Sequence, residues 1–581
     1  MKSRLKNIVF GFSSLCFFVG VAPAFASEPV VLHRDNAIEL GNLYADSLTG
    51  TYAQNVGDAK LAAAAYVSAW EHNKSDSELF DRAVRAYMVF GDIDNASKIV
   101  IPADKALLND DAKLILAYNA LLSGKAGDVN KLLPFDKDST VFTPTRALFA
   151  RNLKAWALAK EGKKDEALKI ATVPAGIKSI DKAANYSRGL LYQYFGDNED
   201  ALAAYETAYQ SGAINQIGIE SYVKLLASTG QKDKALAVLN ELKAANASDS
   251  YYDNVYKTID AGKLPALKKK DKKQINKYIG SSLGVISIAQ SGDFRNGSPL
   301  SELAIARKFD PTLYSLNVTS ARILSALNID DDAVKLLEAV PADSLNGDQA
   351  SSLLASIVFD KDKAKGVAIA ERALKANPSI SNRVSAAVYY IDTKQYDKSI
   401  ELYNSVIADA ASSTSGFEMW QLYFGRANAY LGIEDWDNAI KDLRKANELN
   451  PGNPSLMNSL GYTLADRNIN LPEAQKLLED AVALDPRSGE VLDSLGWVLF
   501  RMGKYDEALD RLEVAFSLSP GVGEIAEHLG DAYFRTNRKT EAKLEWEKAS
   551  RLYEKDSDKA RVLSKVEKGL ENLPKSKMAQ Q

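Results

Sequence analysis

Small residues recur along the C-terminal third of this chain at a fixed interval. Ala439, Ala474, Ala508 and Ala542 are separated by 35, 34 and 34 residues, and Ala446, Ala481, Ala515 and Ala549 repeat those intervals seven residues later. Ala427, Gly461, Gly496 and Gly530 precede each set, and Pro451, Pro486 and Pro520 follow it. Bulky side chains, among them Tyr430, Trp436, Tyr505, Leu512, Tyr533 and Trp546, fill the spaces between. Such a pattern predicts two antiparallel helices per unit. The small positions let helix A and helix B approach closely, the second alanine faces the next unit, and the proline stops helix B. Weaker copies lie upstream, at Ala62 and Ala96, at Ala167, Ala201 and Ala235, and in the set Gly189, Tyr192, Ala201, Tyr205 and Ala208. About fourteen units tile residues 43 to 556. Each has an apolar face that only its neighbours bury, so the prediction is an all-α superhelical solenoid.

Two kinds of segment stand outside this rhythm. At the N-terminus, Lys2, Arg4 and Lys6 precede an apolar stretch from Ile8 to Val21 and the small-x-small site Ala24-Phe25-Ala26. This reads as a signal peptide (1–26) cleaved before Ser27, and hence as export. Its removal takes three positive charges from a chain of net charge −4 and leaves −7. An acidic surface of that kind is a poor polyanion binder, so nucleic acid is not an expected partner. Cys16, the only cysteine, lies inside this segment behind Leu15, which does not suit a lipid-attachment motif. The exported chain is thus expected to lack disulfides, thiolate metal sites and a lipid anchor. No second apolar stretch long enough to span a bilayer follows, and peripheral membrane association is left open. The other break holds seven lysines between Lys263 and Lys277 against the single acid Asp271. Like charges this dense favour a solvated linker (263–279) dividing an N-terminal half (27–262) from a C-terminal half (280–556). The alternative for this run is contact with anionic lipid. Residues 557–581 are expected to form a polar capping helix and a tail.

Motifs for chemistry are few. His33, His72 and His528 are far apart, and neither a metal nor any cofactor is expected. The small packing residues are expected to matter more than any histidine, and loss of the His528 side chain is expected to leave folding and binding nearly intact unless His528 reaches the groove. Gly280-Ser281-Ser282-Leu283-Gly284 matches G-x-S-x-G, but a lysine-rich stretch precedes it where a nucleophile elbow needs a strand. The Asp330-Asp331-Asp332 and Asp92-Ile93-Asp94-Asn95 clusters lack the glycine and glutamate of a calcium loop and fall where helix B should start. An enzyme is not expected.

Surface remains. The A-helix stripe opposite the core should line a concave groove, and in the last repeats it holds Asn428, Asn458, Tyr462, Asp466, Asp493, Trp497, Phe500, Arg501, Glu527, Asp531, Phe534 and Arg535. Aromatic anchors flanked by Asn, Asp and Arg suit recognition of a partner protein segment, whereas Trp497 and Phe500 could equally pack on the neighbouring repeat.

The spacing W-x2-L-G-x2-Y…A-x3-F…P resembles the tetratricopeptide repeat (TPR). The stretch from "LMNSLGYTLADRNINLPEAQKLLEDAVALDP" through "VLDSLGWVLFRMGKYDEALDRLEVAFSLSP" to "EIAEHLGDAYFRTNRKTEAKLEWEKA" is similar to a family of long exported TPR proteins of Gram-negative bacteria. That family includes a lipoprotein adaptor for a periplasmic carboxy-terminal processing protease. The resemblance implies a non-enzymatic periplasmic scaffold that binds other proteins and delivers substrates to such a protease. A structural bridge within an envelope or polysaccharide-export assembly is the alternative.

Overall fold

The computed structural model describes residues 34–133, 144–172, 176–213, 215–245, 250–263, 274–290, 299–412 and 418–570. The expected signal peptide and the stretch 264–273 of the expected linker lie outside the described residues. Every regular element within them is helical. The chain divides into two compact units, Met1–Ala86 and Tyr87–Gln581.

The first unit packs α1 (Arg34–Asn55) against α2 (Ala59–His72), with α3 (Ser77–Val89) beginning inside it. The Asp58 carboxylate caps α2 by accepting from the Leu61 N–H at 3.0 Å. Tyr66, fully buried, donates to Gln54 Oε1 at 2.9 Å, and Trp70 packs on Phe80 with ring centroids 5.4 Å apart.

The second unit opens with α4 (Ile93–Val100), a short 3-10 turn at Lys105–Leu107, α5 (Asp110–Leu122) and α6 (Ala126–Leu132). The A/B pairs α7 (Pro144–Lys160) and α8 (Lys164–Ala171), α9 (Lys178–Phe195) and α10 (Asn198–Gln210), and α11 (Gln216–Ser228) and α12 (Lys232–Ala245) follow, then α13 (Ser250–Asp260). The apolar helix α14 (Ile275–Gln290) and α15 (Leu300–Phe309) form a hairpin. Seven further A/B pairs complete the array. They are α16 (Tyr314–Ala326) and α17 (Asp330–Glu338), α18 (Gly347–Phe359) and α19 (Lys363–Ala376), α20 (Ile380–Asp392) and α21 (Tyr396–Ser412), and α22 (Met419–Gly432) and α23 (Trp436–Leu449). The last three are α24 (Pro454–Asp466) and α25 (Leu471–Leu484), α26 (Gly489–Arg501) and α27 (Tyr505–Leu518), and α28 (Gly523–Arg535) and α29 (Lys539–Leu552), with α30 (Asp556–Lys568) behind them.

The packing logic read from the spacing holds atom by atom. Ala439, Ala474, Ala508, Ala542 and the series Ala446, Ala481, Ala515, Ala549 are all fully buried. A Cβ added at Gly461 would come within 2.7 Å of Leu478, at Gly496 within 2.5 Å of Leu512, and at Gly530 within 2.5 Å of the Trp546 ring. Bulk on helix B is thus matched by its absence on helix A. Helices α23, α25 and α27 each end two residues before Pro451, Pro486 and Pro520. Between A and B a residue in the left-handed region turns the chain, at Glu434, Asn468, Gly503 and Asn537.

The tiling departs from expectation at the middle. Helix α14 starts at Ile275, inside the segment read as linker, and Tyr278 and Ile279 are fully buried. It does not open a separate C-terminal half. Instead it packs across α7, α9 and α11 of the preceding repeats, and α15 reaches α4 and α5. The physical reason lies in the composition of the two neighbouring stretches. The lysine run repels itself, but the residues after Lys277 carry no charge as far as Gln290 and bury readily.

Candidate partner-binding face of the A helices

The A helices of the last repeats hold the expected groove residues, and their surroundings sort them into two groups. The acids are mostly satisfied internally. Asp493 on α26 is 5% exposed and accepts from His528 Nδ1 on α28 at 3.0 and 3.1 Å. Asp531, 4% exposed, takes the Trp546 indole N–H at 2.8 Å and the Lys565 ammonium of α30 at 2.6 Å. Glu527, equally enclosed, is held by Arg561, by Lys565 at 2.7 Å and by the Tyr553 hydroxyl at 2.8 Å. Burial would push its carboxyl pKa up, but Lys565 and Arg561 hold it below the usual glutamate value. Asp493 and Asp531 were expected to face a partner; the structure instead makes them pins between neighbouring repeats.

These pins share a register. His528 lies 35 residues beyond Asp493, Arg561 lies 34 beyond Glu527 and Lys565 lies 34 beyond Asp531. Earlier in the array Asn382 donates to Asp348 at 2.7 Å across the same interval of 34. One repeat length places two residues at equal height on adjacent A helices, so a donor one period after an acid meets it. Sequence reasoning missed His528, Arg561 and Lys565, although a search for acid and base separated by the period finds them.

His528 is the clearest correction. It is 6% exposed and its ring stacks on Trp497 at 4.1 Å with an interplanar angle of 13°. Burial would lower its pKa, but the Asp493 carboxylate, helped by Glu524 and Asp531, outweighs that and raises it to about 9. The imidazolium is therefore a structural cation.

The second group forms an aromatic and cationic rim. Trp497 is sandwiched between His528 and Phe500, the latter 5.2 Å away at 7°. Both Trp497 and Phe500 are half-buried against the core, so packing on the neighbouring repeat accounts for much of each ring. Phe500 also meets Tyr505 edge-on at 5.2 Å. The half-buried Tyr462 donates its hydroxyl to Glu524, and burial together with that carboxylate raises its pKa. Arg501 lies over Trp497 at 5.6 Å and donates to the Asp466 carbonyl oxygen at 2.9 Å. Its guanidinium is 4.0 Å from the Asp466 carboxylate. Arg535 is exposed, 5.9 Å over Tyr505, without an ion pair among the described residues. Asn428 and Asn458 are half-buried. Phe534, also half-buried, packs on Trp546 at 5.6 Å.

The motifs set aside for chemistry have other roles. Gly280 to Gly284 lie within α14, where Ser282 is fully buried. Asp92 caps α4 through the Asn95 N–H at 3.1 Å, and Asp330 to Asp332 form the first turn of α17. Among the described residues no group of three or more His, Cys, Asp or Glu could hold a metal ion, and no helix is long and apolar enough to cross a membrane.

Comparison with known proteins agrees on the class. A family model described as tetratricopeptide repeat matches residues 186–250, 424–489 and 494–557. With paired helices at this period, the chain is a TPR solenoid. It is 33% identical over 146 residues to the TPR repeat-containing protein PA4667 of Pseudomonas aeruginosa, a match spanning 22% of this chain and a quarter (25%) of that protein. Among solved structures, a tetratricopeptide repeat protein from Parabacteroides merdae has a TM-score of 0.37 at 16% identity, covering 44% of this chain and 98% of its own. A chain of the APC/C hetero-tetramer Cut9-Hcn1 gives 0.37 at 14% identity, covering 92% of this chain and 98% of its own. YrrB, described as a TPR protein with an unusual peptide-binding site, gives 0.26 at 19% identity, covering 34% and 97%.

Proposed function

We propose that this chain is a non-enzymatic scaffold of the periplasm that holds partner proteins on the A-helix face of its last repeats and delivers substrates to an envelope protease. TPR proteins in general mediate protein–protein interaction. The observation that carries the reading is the division of the last A helices. Their acids are neutralised by His528, Arg561 and Lys565, while Arg535 stays exposed over Tyr505, which meets Phe500 at the edge of the rim of Tyr462, Trp497 and Phe500. A partner segment with an apolar side chain and a carboxylate suits that rim. Export is supported by the n-region, apolar stretch and Ala24-Phe25-Ala26 site, and protease delivery by the family resemblance. The test is affinity capture from envelope extract with the chain starting at Ser27, followed by calorimetry on the protein recovered. The Arg501→Ala, Arg535→Ala double variant should melt as the parent does and bind at least thirtyfold more weakly, the loss of about 2 kcal/mol usual for a truncated anchor. Unchanged affinity removes the rim from the mechanism.

A structural bridge is the second reading. It is favoured by a surface of the first unit, where Leu40, Tyr44, Leu48 and Tyr52 along α1 and Val56 just past its end are 42–70% exposed at four-residue spacing. Capture of a protease together with its substrates supports delivery. Stoichiometric recovery of envelope structural proteins supports the bridge.

A further inference from the structure

From Tyr278 to Gln290 the sequence YIGSSLGVISIAQ has no charge and alternates Gly and Ser with Leu, Val and Ile. A helix of that composition has nothing to offer water, and each residue from Tyr278 to Ser287 is buried. What buries it is the A-helix face of the N-terminal repeats, the counterpart of the face described above. Asn152 and Trp156 come from α7, Ser187 and Tyr194 from α9, and Asn215, with Ile217, from the start of α11.

The way these side chains hold α14 differs from ordinary core packing, because they bond its backbone. Ser187 Oγ donates to the Ser282 carbonyl at 2.9 Å and Asn215 Nδ2 donates to the Val285 carbonyl at 3.1 Å. Each of these carbonyls faces a groove side chain with its second lone pair, so the contact reads a helix rather than a side chain. Ser282 itself donates to Asn152 Oδ1 at 3.4 Å. The glycines set the approach. A Cβ at Gly284 would stand 2.8 Å from Ile217, and one at Gly280 would stand 2.8 Å from Asp310 at the end of α15. The fit is incomplete at one end, where the Trp156 indole N–H and the Tyr278 hydroxyl, both fully buried with rings 6.1 Å apart, have no hydrogen-bond partner among the described residues.

We propose that the α7–α9–α11 face is a receptor for an uncharged helix rich in small residues, that α14 is its built-in occupant, and that a client protein presenting such a helix takes the place of α14. Main-chain recognition tolerates different sequences, the small seam excludes bulky ones, and the two unpaired polar groups weaken the resident helix against a competitor. The client is a protein segment with the character of Tyr278 to Gln290, free of charge and with two glycines four residues apart, as Gly280 and Gly284 are.

The probe is therefore a capped synthetic peptide of residues 275–290, with two lysines appended for solubility, added to the unmodified chain. Native-state hydrogen exchange should show the amides of 279–287 exchanging at least tenfold faster than those of 186–194 on α9. Saturating peptide should speed α14 further while α7, α9 and α11 stay protected. A second peptide carrying Gly284→Leu should bind at least tenfold more weakly. Equal protection of α14 and α9, unaltered by peptide, would make α14 permanent core and overturn the proposal. So would equal binding of the two peptides, since a plain hydrophobic surface does not distinguish them.

Discussion

The A helices of α5 to α11 and those of α24 to α28 obey the same packing rules but put their outward stripe to different uses. In the N-terminal stretch the stripe is covered by the chain's own α14 and α15, and its polar residues face that insert. Arg146, next to Asp111, also pairs with Glu302 of α15 at 3.2 Å. In the C-terminal stretch the acids of the stripe are held by the B helix of their own repeat and by A helices one repeat on, and the half-buried aromatic rim keeps the exposed Arg535 at its edge. Polar residues on an A-helix stripe therefore do not by themselves mark a binding surface. Whether they do depends on what lies one period ahead and on what else the chain folds back.

The largest effect that sharpens the contrast should come from Arg146→Ala. Asp111 and Glu302 are 8% and 4% exposed in their side chains, so removing the guanidinium leaves two buried carboxylates. The expected cost is about 3–5 kcal/mol, read by chemical denaturation. A loss below about 1 kcal/mol, the range of exposed pairs, would mean that α15 is not held by this pair.

Ala508→Trp tests the shared packing rule. Ala508 is fully buried between helices A and B, and overpacking there should cost about 1–3 kcal/mol or more. A melting temperature equal to the parent's would break the assignment.

The pins of the C-terminal stretch make a pH prediction of similar size. His528 has a folded pKa of about 9, above the ordinary value of 6.5. Its ion pair with Asp493 thus stabilises fully below pH 6.5, and that contribution is lost as pH rises through 9. The loss should be on the order of 2–3 kcal/mol between those limits, and it should vanish in His528→Gln. A wild-type stability that rises over this window would refute the pin. No comparable histidine lies on α5 to α11, which makes the effect specific to the C-terminal repeats.

The smallest effect concerns the turns common to both stretches. Gly503 has φ +80° with open space around its Cβ position, so Gly503→Ala should cost only about 1 kcal/mol, all of it backbone strain. A loss above about 3 kcal/mol would point to a steric role that the turn does not show.

The period, the helical class and the identity of the core positions were legible in the sequence, because each depends on residues within one repeat. Ala508 and Gly496 need only know that Leu512 and its helix are close. The fate of Asp493 was not legible from its own repeat, since its burial depends on a histidine 35 residues later on another helix. Nor was that of α14. An apolar run of thirteen residues announces burial but not where, and the lysines before it argued for a boundary. Its seat is assembled from residues such as Asn152, Ser187 and Asn215, which stand 130, 95 and 70 residues from their partners on α14. Local spacing determines which faces are apolar, because helix geometry repeats every few residues. Only the folded chain decides which faces meet across such distances, because that choice depends on shape and unpaired polar groups that no single segment contains.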